Sequence, residues 1–244
     1  MLLVAGANGG IGAAVARELA RAGARLHLGY FRRRDAIDEL LAAAPATQLS
    51  AGSVDVRDYA SVRAWVDDCL AQHGSVNGLA CCVGTALPPV AFFDLDPERW
   101  PQVLEPELMA VLNLSHVVAP LLAAQGAGRI AVLSSDSGRV GAIGQVVSSA
   151  ARGGVNALCK ALAREVARSG VTINAVCPGP VEGPALDSLR AAGSGAVQAI
   201  MRSIPIGRPT RPEEVAALFR FLLLDQAGAI TGQVLSVNGG LSMV

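Results

Sequence analysis

Two rhythms of hydrophobic and polar positions alternate along the chain. Short apolar runs at 2–5, 26–30, 49–56, 78–83, 128–134, 171–176 and 233–237 predict strands, and runs with so few polar breaks suit strands buried on both faces. Between them lie stretches of helical period. Ile11, Val15 and Leu19 form one apolar stripe, which Gly23 terminates. Further helices are predicted over 35–44, 60–72, 97–125, 147–169 and 211–224. Strand alternating with helix predicts an α/β fold: one doubly wound parallel sheet of about seven strands, of Rossmann type, with helices on both faces. No repeat and no linker interrupts the pattern, so 1–244 reads as one domain. The stretch 181–205, rich in Ala, Gly and Ser, reads as a mobile substrate lid.

Composition narrows the function classes. The 244 residues are 52% hydrophobic, enough for a substantial core. Formal net charge is +0, so no basic balance points to nucleic acid. Only 16% of residues are charged, which leaves neutral surface suited to self-association. The spacing of Cys69, Cys81, Cys82, Cys159 and Cys177 is neither a disulfide framework nor a zinc pattern, and with His27, His73 and His116 they read as structural, with no metal site. Met1 runs directly into a strand-like segment, and no uninterrupted apolar run reaches the roughly 20 residues of a membrane span. The expectation is a reduced, cytoplasmic protein with no membrane partner.

The chemistry begins at the first strand-to-helix turn, AGANGGIG, where Gly6, Gly10 and Gly12 are spaced GxxxGxG with Asn8 and Ile11 between them. Glycines let backbone approach a pyrophosphate, and a helix N-terminus offers unbonded N–H groups and the positive end of its dipole. At the end of the second strand, Arg32, Arg33 and Arg34 follow Tyr30 and Phe31, with no acid near Tyr30. Guanidinium groups there suit a 2′-phosphate, so NADPH is the expected cofactor.

These motifs, with Asp55 and Val56 after the third strand, GRIAVLSS at 128–135, NAVCPGPV at 174–181 and TGQVLSVNGGLSM at 231–243, resemble the short-chain dehydrogenase/reductase family nearly end to end. The branch they look like is that of the 3-oxoacyl-acyl-carrier-protein reductases. The resemblance implies cofactor contacts at Asp55, Val56, Gly84, Pro178, Gly179 and Val181. It implies a dimer or tetramer built through the long helices and the C-terminal strand, and an acyl carrier protein or carrier-bound acyl group as the other partner.

The catalytic positions depart from that pattern. The family's Ser is present as Ser135. The Tyr expected thirteen residues later is Ser148, and the Lys four residues beyond is Arg152. The relay Asn maps to Glu107, thirteen residues before Pro120, in preference to Asn113. The family's Thr after Pro178 and Gly179 is replaced by Gly183, and its Asn-Asn-Ala-Gly by Cys81, Cys82, Val83 and Gly84. A phenol of pKa ~10 can be lowered by a neighbouring ammonium until it donates a proton, whereas a serine hydroxyl is a much weaker acid and arginine does not release its proton. Asp136 and His116 are the alternative acids. Three readings follow. One is a catalytically degenerate subunit, with Glu107 and Arg152 paired, that joins an active ketoreductase homologue. The others are an atypical NADPH-dependent ketoreductase with Ser135 as donor, and a dinucleotide-binding regulatory module.

Overall fold

The computed structural model describes residues 1–45, 48–85, 88–191 and 195–244. All seven expected strands form, as β1 (Leu2–Ala5), β2 (Leu26–Tyr30), β3 (Leu49–Ser53), β4 (Gly78–Cys81), β5 (Gly128–Leu133), β6 (Val171–Pro178) and β7 (Val234–Val237). They make one parallel sheet of order β3-β2-β1-β4-β5-β6-β7. The order reverses between β1 and β4, and in such sheets the crevice outside the strand C-termini at that reversal is where ligands bind.

Helices cover both faces, as the apolar runs require. On one face α3 (Tyr59–His73), α5 (Ala110–Gln125) and α7 (Val146–Val166) bury Val62, Val66, Leu114, Val118, Val155 and Cys159 against the strands. On the other, α1 (Gly10–Arg21), α2 (Asp35–Ala42) and α10 (Pro212–Leu223) bury Val15, Leu19, Ile37, Phe219 and Leu222. The region Pro97–Gln125 is long and apolar enough to cross a membrane by length and composition, but Val111, Leu114, Val118 and Leu122 are fully buried in the core.

The expected helix over 97–125 is not continuous. A 3-10 turn (Pro97–Arg99) and α4 (Pro101–Leu104) lead into one wide π turn (Glu105–Met109) before α5 begins. Pro106 explains the widening. It has no N–H to donate to the preceding turn, and its ring crowds the carbonyl there. The widened turn carries Glu107 inward, where it is 3% exposed. The stretch expected to be a lid contains two short helices, α8 (Pro184–Ala191) and α9 (Gly195–Ser203), and its residues 192–194 lie outside the described residues.

Away from the crevice, His27 on β2 and His73 at the end of α3 both lie within hydrogen-bond distance of Ser50 Oγ, at 2.8 and 2.7 Å. Burial pushes the His27 imidazole down to about 4; Asp68 opposes the shift and His73 adds to it. A histidine whose folded pKa is depressed makes its full contribution above the unfolded value of ~6.5 and loses it as pH falls towards 4. Urea unfolding should therefore show stability falling through that window, by at most ~1.4 kcal/mol per pH unit for the one proton involved. In His27→Gln this component of the pH dependence should disappear.

Candidate active site

The cofactor turn is built as its glycines demand. Gly6 adopts φ +77°, and a Cβ on it would stand 2.8 Å from the Cys82 carbonyl oxygen. A Cβ on Gly12 would collide with the Gly6 carbonyl, so the start of α1 can seat against the end of β1 only with glycine at both positions. Gly10 faces open space. The N-cap residue Gly9 has no side chain to bond the first turn, so the amides of Gly10, Ile11 and Gly12 keep the orphan N–H groups of a helix start. Asn8 donates from Nδ2 to the Arg33 carbonyl at 3.3 Å, tying the turn to the segment after β2. These features fit a dinucleotide pyrophosphate.

The wall beside this turn differs from expectation. Both Asp55 carboxylate oxygens accept from the Arg57 guanidinium, at 2.8 and 2.7 Å, and this partner holds the carboxyl below its usual range. The charge of Asp55 therefore faces Arg57, whatever its contact with an adenine. Arg32 and Arg57 both lie over the Phe31 ring, 4.8 and 5.2 Å from its centroid. Arg57 was not among the sequence candidates, because it reaches Phe31 from the loop after β3. Asn113 donates from Nδ2 to the Val56 and Arg57 carbonyls at 3.1 and 3.0 Å. It braces this wall and takes no part in the catalytic cluster.

Across the crevice, Glu107, Ser148 and Arg152 come together. Ser148 Oγ donates to Glu107 Oε2 at 2.6 Å, and Arg152 Nε stands 3.2 Å from the same oxygen. The two charged side chains are 4% and 6% exposed, so this is a buried ion pair. The rest of the guanidinium grips the sheet edge. Nη1 donates to the Leu133 carbonyl at 2.7 Å and Nη2 to the Val83 carbonyl at 3.2 Å. Gly84 gains a reason other than the expected approach of backbone to cofactor, since a Cβ there would collide with Arg152 Nη2.

Ser135 lies between β5 and the short helix α6 (Ser137–Val140) and is half-buried; its Oγ accepts from the Ser137 N–H at 3.2 Å and lies 2.9 Å from the Ser137 hydroxyl. Its neighbour Asp136 is buried and turned to the C-terminal segment, where Oδ1 accepts from Ser242 Oγ at 2.5 Å and Ser236 Oγ at 3.3 Å. His116 sits between α5 and α3, its Nδ1 2.9 Å from the Tyr59 hydroxyl. Neither alternative acid joins the cluster. Pro178 accepts from the Asp136 N–H at 3.0 Å, Gly179 packs on Asn238, and Val181 bridges to Thr210. Cys81 and Cys82 are buried, and burial raises both thiols, Cys81 to about 12, so neither is a ready nucleophile.

Comparison with known proteins matches the same frame. The family described as enoyl-(acyl carrier protein) reductase matches residues 5–242. The chain belongs to the short-chain dehydrogenase/reductase family. Within it, the chain is 37% identical to the monensin polyketide synthase ketoacyl reductase of Streptomyces virginiae, covering 98% of this chain and 95% of the relative. It is 36% identical to the acetoacetyl-CoA reductase of Rhizobium meliloti (98% and 96% covered) and 35% identical to the 3-oxoacyl-[acyl-carrier-protein] reductase of Escherichia coli (99% and 97%). This short-chain dehydrogenase/reductase is thus ketoreductase-like, of the polyketide and fatty-acid type, in a family whose reductases use nicotinamide cofactors.

Carbonyl reduction makes one demand on the residues of this cluster. Hydride delivery to a ketone leaves an alkoxide that needs a proton. Here the Ser148 hydroxyl donates into the carboxylate that Arg152 pairs with, and a guanidinium does not relay a proton by releasing its own. A bound nicotinamide would supply hydride, and Ser135 could offer a hydrogen bond to a carbonyl oxygen.

Proposed function

We propose that this chain is a catalytically degenerate ketoreductase subunit that binds NADPH and serves beside an active ketoreductase of the same family acting on carrier-bound polyketide or fatty-acyl substrates. The buried Glu107–Arg152 pair carries this reading. The resemblance puts the proton relay at these two positions, and the pair draws the Ser148 hydroxyl into itself. The Arg32 and Arg57 pair over Phe31 supports NADPH over NADH. Exposed apolar residues at the start of α5 (Leu112) and just before it (Met109), together with Val146 on α7, support assembly through the long helices, as a dimer or tetramer. Five free, buried cysteines suit a reducing cytoplasm.

The test is a fluorescence titration with NADPH and NADH, followed by size-exclusion chromatography with a Tyr-containing homologue encoded nearby. Micromolar NADPH binding, weaker NADH binding and a mixed oligomer are expected. A homo-oligomer that ignores the homologue would count against the partnership, and loss of binding to both cofactors would count against the dinucleotide role.

One observation favours a second reading, an atypical NADPH-dependent ketoreductase. Ser135 Oγ accepts from Ser137, which leaves its own proton free for a substrate carbonyl. If that donor drives turnover, Ser135→Ala should abolish it.

A further inference from the structure

Groups able to hold a dinucleotide are unequally shared between the two sides of the crevice. On the β1–β3 side stand the uncapped start of α1, the Asn8 amide and the guanidinium groups of Arg32, Arg33 and Arg57. Two of those guanidiniums lie over one ring, Phe31, and Arg57 is locked there by Asp55. Asp55 answers the charge of Arg57, which leaves Arg32, exposed beside the ring, as a cation available to an anion.

Among the described residues, the β4–β6 side offers little. Cys82, Val83 and Gly84 end β4 without a charged or amide side chain. The loop 178–183 has one polar side chain, Glu182, which is itself an anion. Among the described residues, the cations at this edge are engaged: Arg152 turns its fork to the Leu133 and Val83 carbonyls and its Nε to Glu107, and Arg139 donates to Ser236 Oγ. Ser148 donates to that same carboxylate.

We infer that the protein grips its cofactor by the adenosine 2′-phosphate and 5′-phosphate end, with the nicotinamide mononucleotide half adding little, so that adenosine 2′,5′-bisphosphate is by itself a ligand of nearly full strength. The inference rests on the NADPH-binding reading above and deepens it. Oxidised and reduced cofactor should then bind alike.

Calorimetric titration of the full chain with NADPH, NADP⁺, adenosine 2′,5′-bisphosphate and nicotinamide mononucleotide tests it. The bisphosphate and NADP⁺ should bind within ~3-fold of NADPH, and the mononucleotide should give no saturable heat. Arg32→Gln and, separately, Arg57→Gln should weaken the bisphosphate and NADPH in parallel, by roughly 10-fold, since each removes a charge-assisted bond to phosphate. Both positions are at the surface edge, and an unchanged thermal midpoint would confirm folding. A bisphosphate more than ~30-fold weaker than NADPH would overturn the inference while leaving NADPH binding intact. Failure of all four ligands would instead remove the cofactor reading beneath it.

Discussion

Replacing Glu107→Asn, Ser148→Tyr and Arg152→Lys together should raise NADPH-dependent reduction of a 3-oxoacyl thioester by roughly 100- to 10,000-fold, the usual worth of general acid catalysis. The three changes must be made as a set. With Arg152→Lys alone, Glu107 still neutralises the new ammonium and still accepts from Ser148. With Ser148→Tyr alone, the phenol meets a carboxylate that favours its protonated form, beside an arginine that cannot pass a proton on. Glu107→Asn removes the competing charge. Arg152→Lys also releases the fork that holds the Leu133 and Val83 carbonyls, which frees a cation for the crevice. A set that folds and binds NADPH but gains nothing would show that the block to turnover lies outside this cluster.

The second large effect concerns stability. Arg152→Met should destabilise the fold by about 3–5 kcal/mol, because it leaves the Glu107 carboxylate buried without its counter-charge. Glu107→Leu should cost a similar amount, partly offset by the carbonyl bonds that Arg152 keeps. The double variant Glu107→Leu, Arg152→Met should recover much of the loss, since an apolar pair of similar volume replaces a buried ion pair at little cost. Urea unfolding midpoints at unchanged slope measure all three. Additive losses in the double variant would mean that the two side chains are not energetically coupled.

The sheet was legible in the sequence because each strand is an apolar run flanked by helical periodicity, and all seven form. Strand ends were less so. The third and fourth apolar runs extend to 56 and 83, but strands β3 and β4 end at Ser53 and Cys81. Val54 and Cys82 still donate to the Tyr30 and Ala5 carbonyls of the neighbouring strands, and only Val83 stays buried beyond the last of these bonds. The π turn at Glu105–Met109 escaped a reading tuned to a period of 3.6, although Pro106 was its visible cause. That Glu107 and Arg152 would pair followed from substitution at two positions of one site. The contact between Arg152 and Gly84 did not, because it depends on where the guanidinium turns. Arg57 is hidden for a similar reason: it reaches the Phe31 ring across the ends of two neighbouring strands, a proximity that chain position alone does not reveal.

The most direct measurement is a single-turnover experiment: the protein, preloaded with NADPH, is mixed with a saturating 3-oxoacyl thioester while nicotinamide fluorescence is followed. The account predicts that the cofactor stays bound and reduced, with any decay at least ~100-fold slower than a typical enzymatic rate of ~10 s⁻¹. Oxidation of the bound NADPH at about that typical rate would contradict it, and would mean that the buried Glu107–Arg152 pair does not prevent proton delivery.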